Sequence, residues 1–214
     1  CMAIAYGCTD SLALNFDPLA NTDDSTCCGA SLSIPFGTQI GQDIDGEAFL
    51  DESGYSVSMS ADGNIVAVGA RYNDGNGNNS GHVRVFENIG GSWSQIGEDI
   101  DGEADYDQSG YSVSMSSDGN TVAIGAWGNN NGNGTNSGHV RVYNYNGVSW
   151  VKLGDDIDGE ADYDESGVSV SISSDGNIVA IGAPYNDGWT SANQTGHVRI
   201  YSYNGTSWNQ LGSD

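Results

Sequence analysis

A ten-residue segment recurs three times along the chain: Gln39-Ile-Gly-Gln-Asp-Ile-Asp-Gly-Glu-Ala48, Gln95-Ile-Gly-Glu-Asp-Ile-Asp-Gly-Glu-Ala104 and Lys152-Leu-Gly-Asp-Asp-Ile-Asp-Gly-Glu-Ala161, at offsets of 56 and 57 residues. A fourth start, Gln210-Leu-Gly-Ser-Asp214, follows 58 residues later. Ser53-Gly54, Ser109-Gly110 and Ser166-Gly167 keep the same step, as do Gly81-His82, Gly138-His139 and Gly196-His197, and Trp93, Trp150 and Trp208. Self-similarity at a fixed period means one supersecondary unit repeated, each copy burying against its neighbours a face it cannot bury alone.

Within a repeat, apolar and polar residues alternate with period two, as in half-buried strands, and turn residues punctuate them. In the middle copy the pattern predicts strands over 111–116, 121–126, 138–143 and 149–154, with a hairpin turn at Ser117-Asp118-Gly119-Asn120. Four antiparallel strands per repeat is the content of one β-propeller blade. The expected architecture is therefore all-β: three complete repeats of about 57 residues, with blades at about 42–97, 98–154 and 155–213, preceded by an isolated outer strand from Ile34 to Gly41. Propellers typically close with four to eight blades, so the expectation is a piece of a larger propeller or a unit that other copies complete. An open sheet edge would otherwise invite aggregation.

Charge narrows the partners. Twenty-nine Asp and Glu against 5 Lys and Arg give a net charge of −24, and Lys152 is the sole lysine. With no basic stripe to neutralise phosphates, nucleic acid is not an expected partner. Such an acidic chain suits high ionic strength, bound cations or simple solubility. No apolar run is long enough to span a bilayer as a helix. Cys1 reads either as the lipid-bearing residue of a bacterial lipoprotein or as the edge of a truncated segment.

Ser-Gly-Tyr-Ser-Val-Ser, an Asp-Gly turn, Val-Ala-Ile-Gly-Ala and Gly-His-Val-Arg-Val-Tyr together resemble the FG-GAP repeats of integrin α-chain propellers and their bacterial relatives, over residues 36 to 213. Ile181-Gly182-Ala183-Pro184 matches the GAP element outright, whereas Trp127 and Arg71 follow the other two copies. Kelch and WD40 repeats fit less well, because the period is too long and Trp93 lacks the Asp partner of the WD signature. The resemblance implies an extracellular blade array that recognises proteins or glycans through loops on one face. One departure matters: integrin-type calcium loops place Asp-x-Asp-x-Asp-Gly between the first two strands, where this chain has only Asp62-Gly63, Asp118-Gly119 or Asp175-Gly176.

Residues 1–29 are expected to form a separate acidic module, with the blades occupying 30–214. All four cysteines lie in residues 1 to 28, which suits disulfides in an oxidising compartment better than zinc, since no Cys-x-x-Cys spacing or nearby His is present. The stretch from Gly7 to Cys27 resembles a short Cys-bounded module of secreted proteins from marine bacteria and some large viruses, and is loosely similar to thrombospondin type-3 repeats. That resemblance implies Cys8 paired with Cys27, leaving Cys1 with Cys28. Between them Asp10, Asn15, Asp17, Asn21, Asp23 and Asp24 offer hard oxygen ligands suited to calcium, or else the Asx caps of an acidic turn. Each blade connector offers a second calcium candidate: Asp43, Asp45, Glu47 and Asp51; Asp99, Asp101, Glu103 and Asp107; Asp156, Asp158, Glu160 and Asp164. The alternative is a solvated connector, and the EF-hand spacing is missing.

A unique general base would not appear three times at equivalent sites, so His82, His139 and His197, with Arg84, Arg141 and Arg199, read as structural rather than catalytic. The loop after the second strand varies between copies, and variable loops on a constant scaffold are where recognition resides. Arg71, Trp127 and Trp189 are the predicted ligand contacts. Sequons at Asn78, Asn133, Asn193 and Asn204 mark glycosylation sites if the chain passes through a eukaryotic-type secretory route. The reading is a secreted or surface-exposed, non-catalytic binding or adhesion module for a protein or glycan. Its rival is a structural subunit of an extracellular fibre, sheath or virion appendage built from further copies of itself.

Overall fold

The computed structural model describes residues 6–7, 22–23, 38–187 and 194–213. The chain divides into two compact units, Cys1–Ile40 and Gly41–Asp214. In the first, β1 (Tyr6–Gly7) and β2 (Thr22–Asp23) pair in parallel, Tyr6 opposite Thr22. The four cysteines, Asp10, Asn15, Asp17, Asn21, Asp24 and most of the expected 34–41 strand lie outside the described residues, and 38–41 are irregular.

The second unit is three antiparallel sheets. The first blade holds β3 (Ser56–Met59), β4 (Ile65–Ala70), β5 (His82–Ile89) and β6 (Ser92–Gln95), in that spatial order. The short β7 (Ile100–Asp101) follows, and the second blade holds β8 (Ser112–Met115), β9 (Thr121–Ala126), β10 (His139–Tyr145) and β11 (Trp150–Lys152). After β12 (Ile157–Asp158), the third blade comprises β13 (Ser169–Ile172), β14 (Ile178–Ala183), β15 (His197–Tyr203) and β16 (Trp208–Gln210). These are the propeller-type blades of four strands that the repeat predicts. The short β7 and β12 lie outside the predicted strands: each connector adds a two-residue strand to the blade just completed, Ile100 opposite Val83 and Ile157 opposite Val140.

Alternation places the core between blades. Val122 and Ile124 of β9 face the first blade, packing with Ala67, Val83, Val85, Ile100 and Met115, while Ala123, Val140 and Val142 face the third, against Val179, Ile181 and Tyr201. Large β-branched residues thus meet a small Ala and two valines across each junction, which lets the sheets approach closely. Serine hydroxyls join the innermost strands: the Met115 amide donates to Ser58 Oγ and the Ile172 amide to Ser114 Oγ, both at 3.0 Å. At the outer edge Trp150 Nε1 donates to the Ile96 carbonyl at 2.9 Å and Trp208 Nε1 to that of Leu153 at 2.7 Å. Gly110 is required where the blades meet. Its φ is +83°, and a Cβ there would strike the His82 carbonyl and lie 3.1 Å from the Gly69 Cα.

The stacking leaves two faces open. Val198 and Ile200 are 66% and 41% exposed, whereas their equivalents Val140 and Val142 are sealed by the next blade. On the opposite side Val57 and Met59 are exposed, while Met115 is buried.

Candidate functional site

The connectors and the loops after each second strand emerge at the same end of the blades. Tyr55 and Tyr111 stand just before the first strands and Arg71 and Trp127 just after the second, and the structure gathers all four. The Arg71 guanidinium lies 3.8 Å from the Tyr55 ring centre, 4.3 Å from that of Tyr72 and 5.6 Å from that of Tyr111. It is held there by Glu52, whose Oε2 accepts from Arg71 Nη2 at 2.8 Å. Tyr55 and Tyr111 are tilted at 5.0 Å between centroids, and Tyr111 meets Trp127 edge-on at 6.0 Å. Trp127 Nε1 donates to Gln108 Oε1 at 3.2 Å. Two of the three predicted contacts, Arg71 and Trp127, thus belong to one aromatic strip spanning two blades. Trp189 lies outside the described residues, and Val168 and Pro184 stand at the equivalent places in the third blade.

Beside this strip each connector presents a side chain to solvent from a left-handed backbone. Leu50, Tyr106 and Tyr163 have φ of 71°, 67° and 63°, and they are 66%, 57% and 57% exposed. Such a conformation costs a non-glycine residue about 1–2 kcal/mol, so something must impose it. The buried carboxylates of Asp51, Asp107 and Asp164 do so: Asp107 Oδ2 accepts from the Ala104 amide at 3.1 Å and from Asn129 Nδ2 at 3.0 Å, and Asp51 and Asp164 repeat the pair. Burial pushes the Asp107 carboxyl above its usual range.

The remaining connector carboxylates disperse. Asp45 and Asp101 lend their backbone carbonyls to Arg84 and Arg141, and Asp158 does the same for Arg199. Asp43 is exposed. Glu47, Glu103 and Glu160 approach those arginines at 3.5, 3.1 and 3.4 Å. Among the described residues, the groups of three ligand-type side chains whose atoms lie within 4.8 Å of one another are Glu47–His82–Asp99 and Glu103–His139–Asp156. Each joins a Glu from one connector, a His from the third strand and an Asp from the next connector. His82 Nδ1 stands 3.8 Å from Asp99 Oδ2 and 3.9 Å from Glu47 Oε2. Burial holds both imidazoles below their ordinary pKa, His139 at about 4.

A family model described as the FG-GAP repeat matches residues 44–86 and 100–143, each span running from a connector through the third strand of a blade. Those two spans carry the FG-GAP repeat. No curated protein matches it. Among solved structures it is similar to a candidate 6-phosphogluconolactonase from Bacteroides uniformis, at 15% identity and a TM-score of 0.48, with 73% of this chain and 39% of that one covered. It is also similar to the hydrazine synthase of Kuenenia stuttgartiensis, at 11% identity and a TM-score of 0.45, with 79% and 38% covered, and to the tricorn protease, at 9% and 0.41, with 73% and 14% covered. The chain therefore spans well under two thirds of the length of these structures.

The turn after the first strand of each blade offers a single carboxylate. Asp62, the carboxylate of that turn, accepts from Ser60 Oγ at 2.6 Å, from the Asn64 amide at 3.0 Å and from Asn64 Nδ2 at 2.9 Å, which lowers its pKa to about 2. Asp118 and Asp175 repeat the motif. One carboxylate so engaged does not fit an ion that takes six to eight oxygens. The sequon residues play local roles too. The Asn78 amide donates to Asp105 Oδ1, Asn133 Nδ2 to the Gly159 carbonyl, and Asn204 Oδ1 closes a turn on Thr206 and Ser207. Asn193 lies outside the described residues. No helix among the described residues is long and apolar enough to cross a membrane.

Proposed function

We propose that this chain is an extracellular, non-catalytic binding module whose FG-GAP blades engage a protein or glycan ligand at the loop end, with residues 1–29 as a disulfide-stapled acidic module preceding them in sequence. The observation that supports this most is the Tyr55–Tyr111–Trp127 strip crossed by Arg71. Rigid aromatic faces give large contact area at little entropic cost and stack on sugar rings or apolar side chains alike. Leu50, Tyr106 and Tyr163 extend that surface. The acidic surface turns away polyanions, so neutral or cationic partners are favoured. A panel of neutral and acidic oligosaccharides and of cell-surface proteins, read by surface plasmon resonance, tests it. Tyr111→Ala and Arg71→Ala are expected to weaken any hit at least tenfold, and hits indifferent to both substitutions refute the assignment.

The structural-subunit reading has its own support in the two open faces. The side of the third blade that exposes Val198 and Ile200 corresponds to surfaces that the next blade buries in the first two, and a cavity of about 660 Å³ lies there, bordered by Glu160, Asp164, Asn186, Gly196, His197 and Ser213. Head-to-tail contact between such faces generates rings or filaments. Light scattering with wild type and Val198→Asp distinguishes the readings: a defined multimer that the substitution dissolves favours the structural subunit.

A further inference from the structure

We propose that Glu47, His82 and Asp99 form a binding site for a first-row divalent transition metal such as zinc, repeated in weaker form at Glu103, His139 and Asp156. His82 is 1% exposed, and neither of its ring nitrogens has a hydrogen-bond partner. A buried polar side chain left unpaired costs about 1–3 kcal/mol and calls for a ligand. Its Nδ1 faces oxygens of two carboxylates at 3.8 and 3.9 Å, too far for hydrogen bonds. Two donors each about 2.0–2.2 Å from a shared ion stand at a comparable separation.

The other oxygen of each carboxylate is already oriented. Gln95 Nε2 donates to Asp99 Oδ1 at 2.6 Å, and Arg84 Nη1 stands 3.5 Å from Glu47 Oε1, leaving Oδ2 and Oε2 turned toward the imidazole. Outer partners of this kind fix ligand orientation in metal sites. An imidazole nitrogen with no hydrogen-bond partner leaves its lone pair open to a metal. One nitrogen with two carboxylates suits zinc and its neighbours, whereas calcium prefers an all-oxygen shell. A metal there would clamp the connector entering the first blade, the blade's third strand and the connector leaving it.

The second site differs by one charge. Lys152 stands where the first repeat has Gln95, and its Nζ donates to Asp156 Oδ1 at 2.7 Å. The first cluster, with its arginine, has a net charge of −1, and the second, with Arg141 and Lys152, of zero. The first is therefore the tighter site.

Titration of the chelator-stripped full chain with Zn²⁺ by calorimetry, and with Co²⁺ by its ligand-field absorption, tests this. The expected result is a tighter and a weaker site per chain. Half-exposed Glu47 and partly buried Asp99 tolerate Glu47→Gln and Asp99→Asn, each expected to weaken the tighter site at least tenfold, as is His82→Gln. Lys152→Gln should strengthen the weaker site about tenfold, the order expected for removing one nearby charge. Absence of binding below millimolar metal, or binding indifferent to Asp99→Asn and to His82→Gln, overturns the proposal and leaves the imidazole to water alone.

Discussion

Replacing Asp107 with Ala tests whether a single buried carboxylate holds a connector in its left-handed shape. The side chain is 1% exposed, and its Oδ2 receives the Ala104 amide and the Asn129 side-chain amide. Hydrogen bonds to a charged acceptor contribute about 1.5–3 kcal/mol each, so removing two forfeits about 3–6 kcal/mol. Relief of the carboxylate's own burial returns part of that, and the raised pKa is the sign that this cost exists. The net loss is about 3 kcal/mol, which in a unit of this size lowers Tm by about 6–12 °C. Asp107→Asn keeps an acceptor oxygen and should lose about 1 kcal/mol. Exposed Glu98→Ala controls for charge and should move Tm by about 1 °C or less. Thermal unfolding followed by circular dichroism reads all three. An Asp107→Ala shift no larger than that of Glu98→Ala refutes the pinning role.

Gly110→Ala combines an unfavourable φ with a collision against the His82 carbonyl, so it should cost about 2–4 kcal/mol in chemical denaturation, far more than Gly90→Ala, which has a similar φ but open space around it. Trp150→Phe keeps the ring but orphans the Ile96 carbonyl, and about 1 kcal/mol of stability should go with it, measured by urea unfolding. The hydrogen bonds from Ser60 and Asn64 depress the Asp62 pKa to about 2, so the turn's contribution is present above about pH 4 and fades as pH falls toward 2. Ser60→Ala should raise the Asp62 pKa back toward 3.8, a shift visible in an NMR titration of its carboxyl carbon.

The blades were legible because their signal is local. Thr121 to Ala126 is a short apolar run bounded by turn residues, and it falls on β9 residue for residue, buried on both faces. The expected start at Tyr111 moves to Ser112 because the Tyr111 amide closes a turn onto the Gln108 carbonyl. The Ile-Asp pairs of β7 and β12 read as acidic connector, since two residues carry no period and their partners are non-local. The same limit hid the metal-type clusters. Proximity in sequence groups the carboxylates of one connector, yet Glu47 meets Asp99 and His82 only after two connectors flank one blade. The available signal was register: Glu47 and Glu103, His82 and His139, and Asp99 and Asp156 hold equivalent places in successive repeats. Tyr111 falls in a predicted strand, and the role of Tyr55 and Tyr111 in the strip depends on Arg71 lying across them.

Each junction is assembled from halves that every repeat carries on opposite sides: a serine hydroxyl waiting on one edge of the inner strand and a backbone amide on the other, a tryptophan behind and a carbonyl ahead. Such a unit is a tongue-and-groove plank. Duplicating it in the gene creates no new contact that must be invented, and losing one leaves its former neighbours fitting each other. Selection can therefore lengthen or shorten the array, and rewrite the loops at its end, without renegotiating how the planks join.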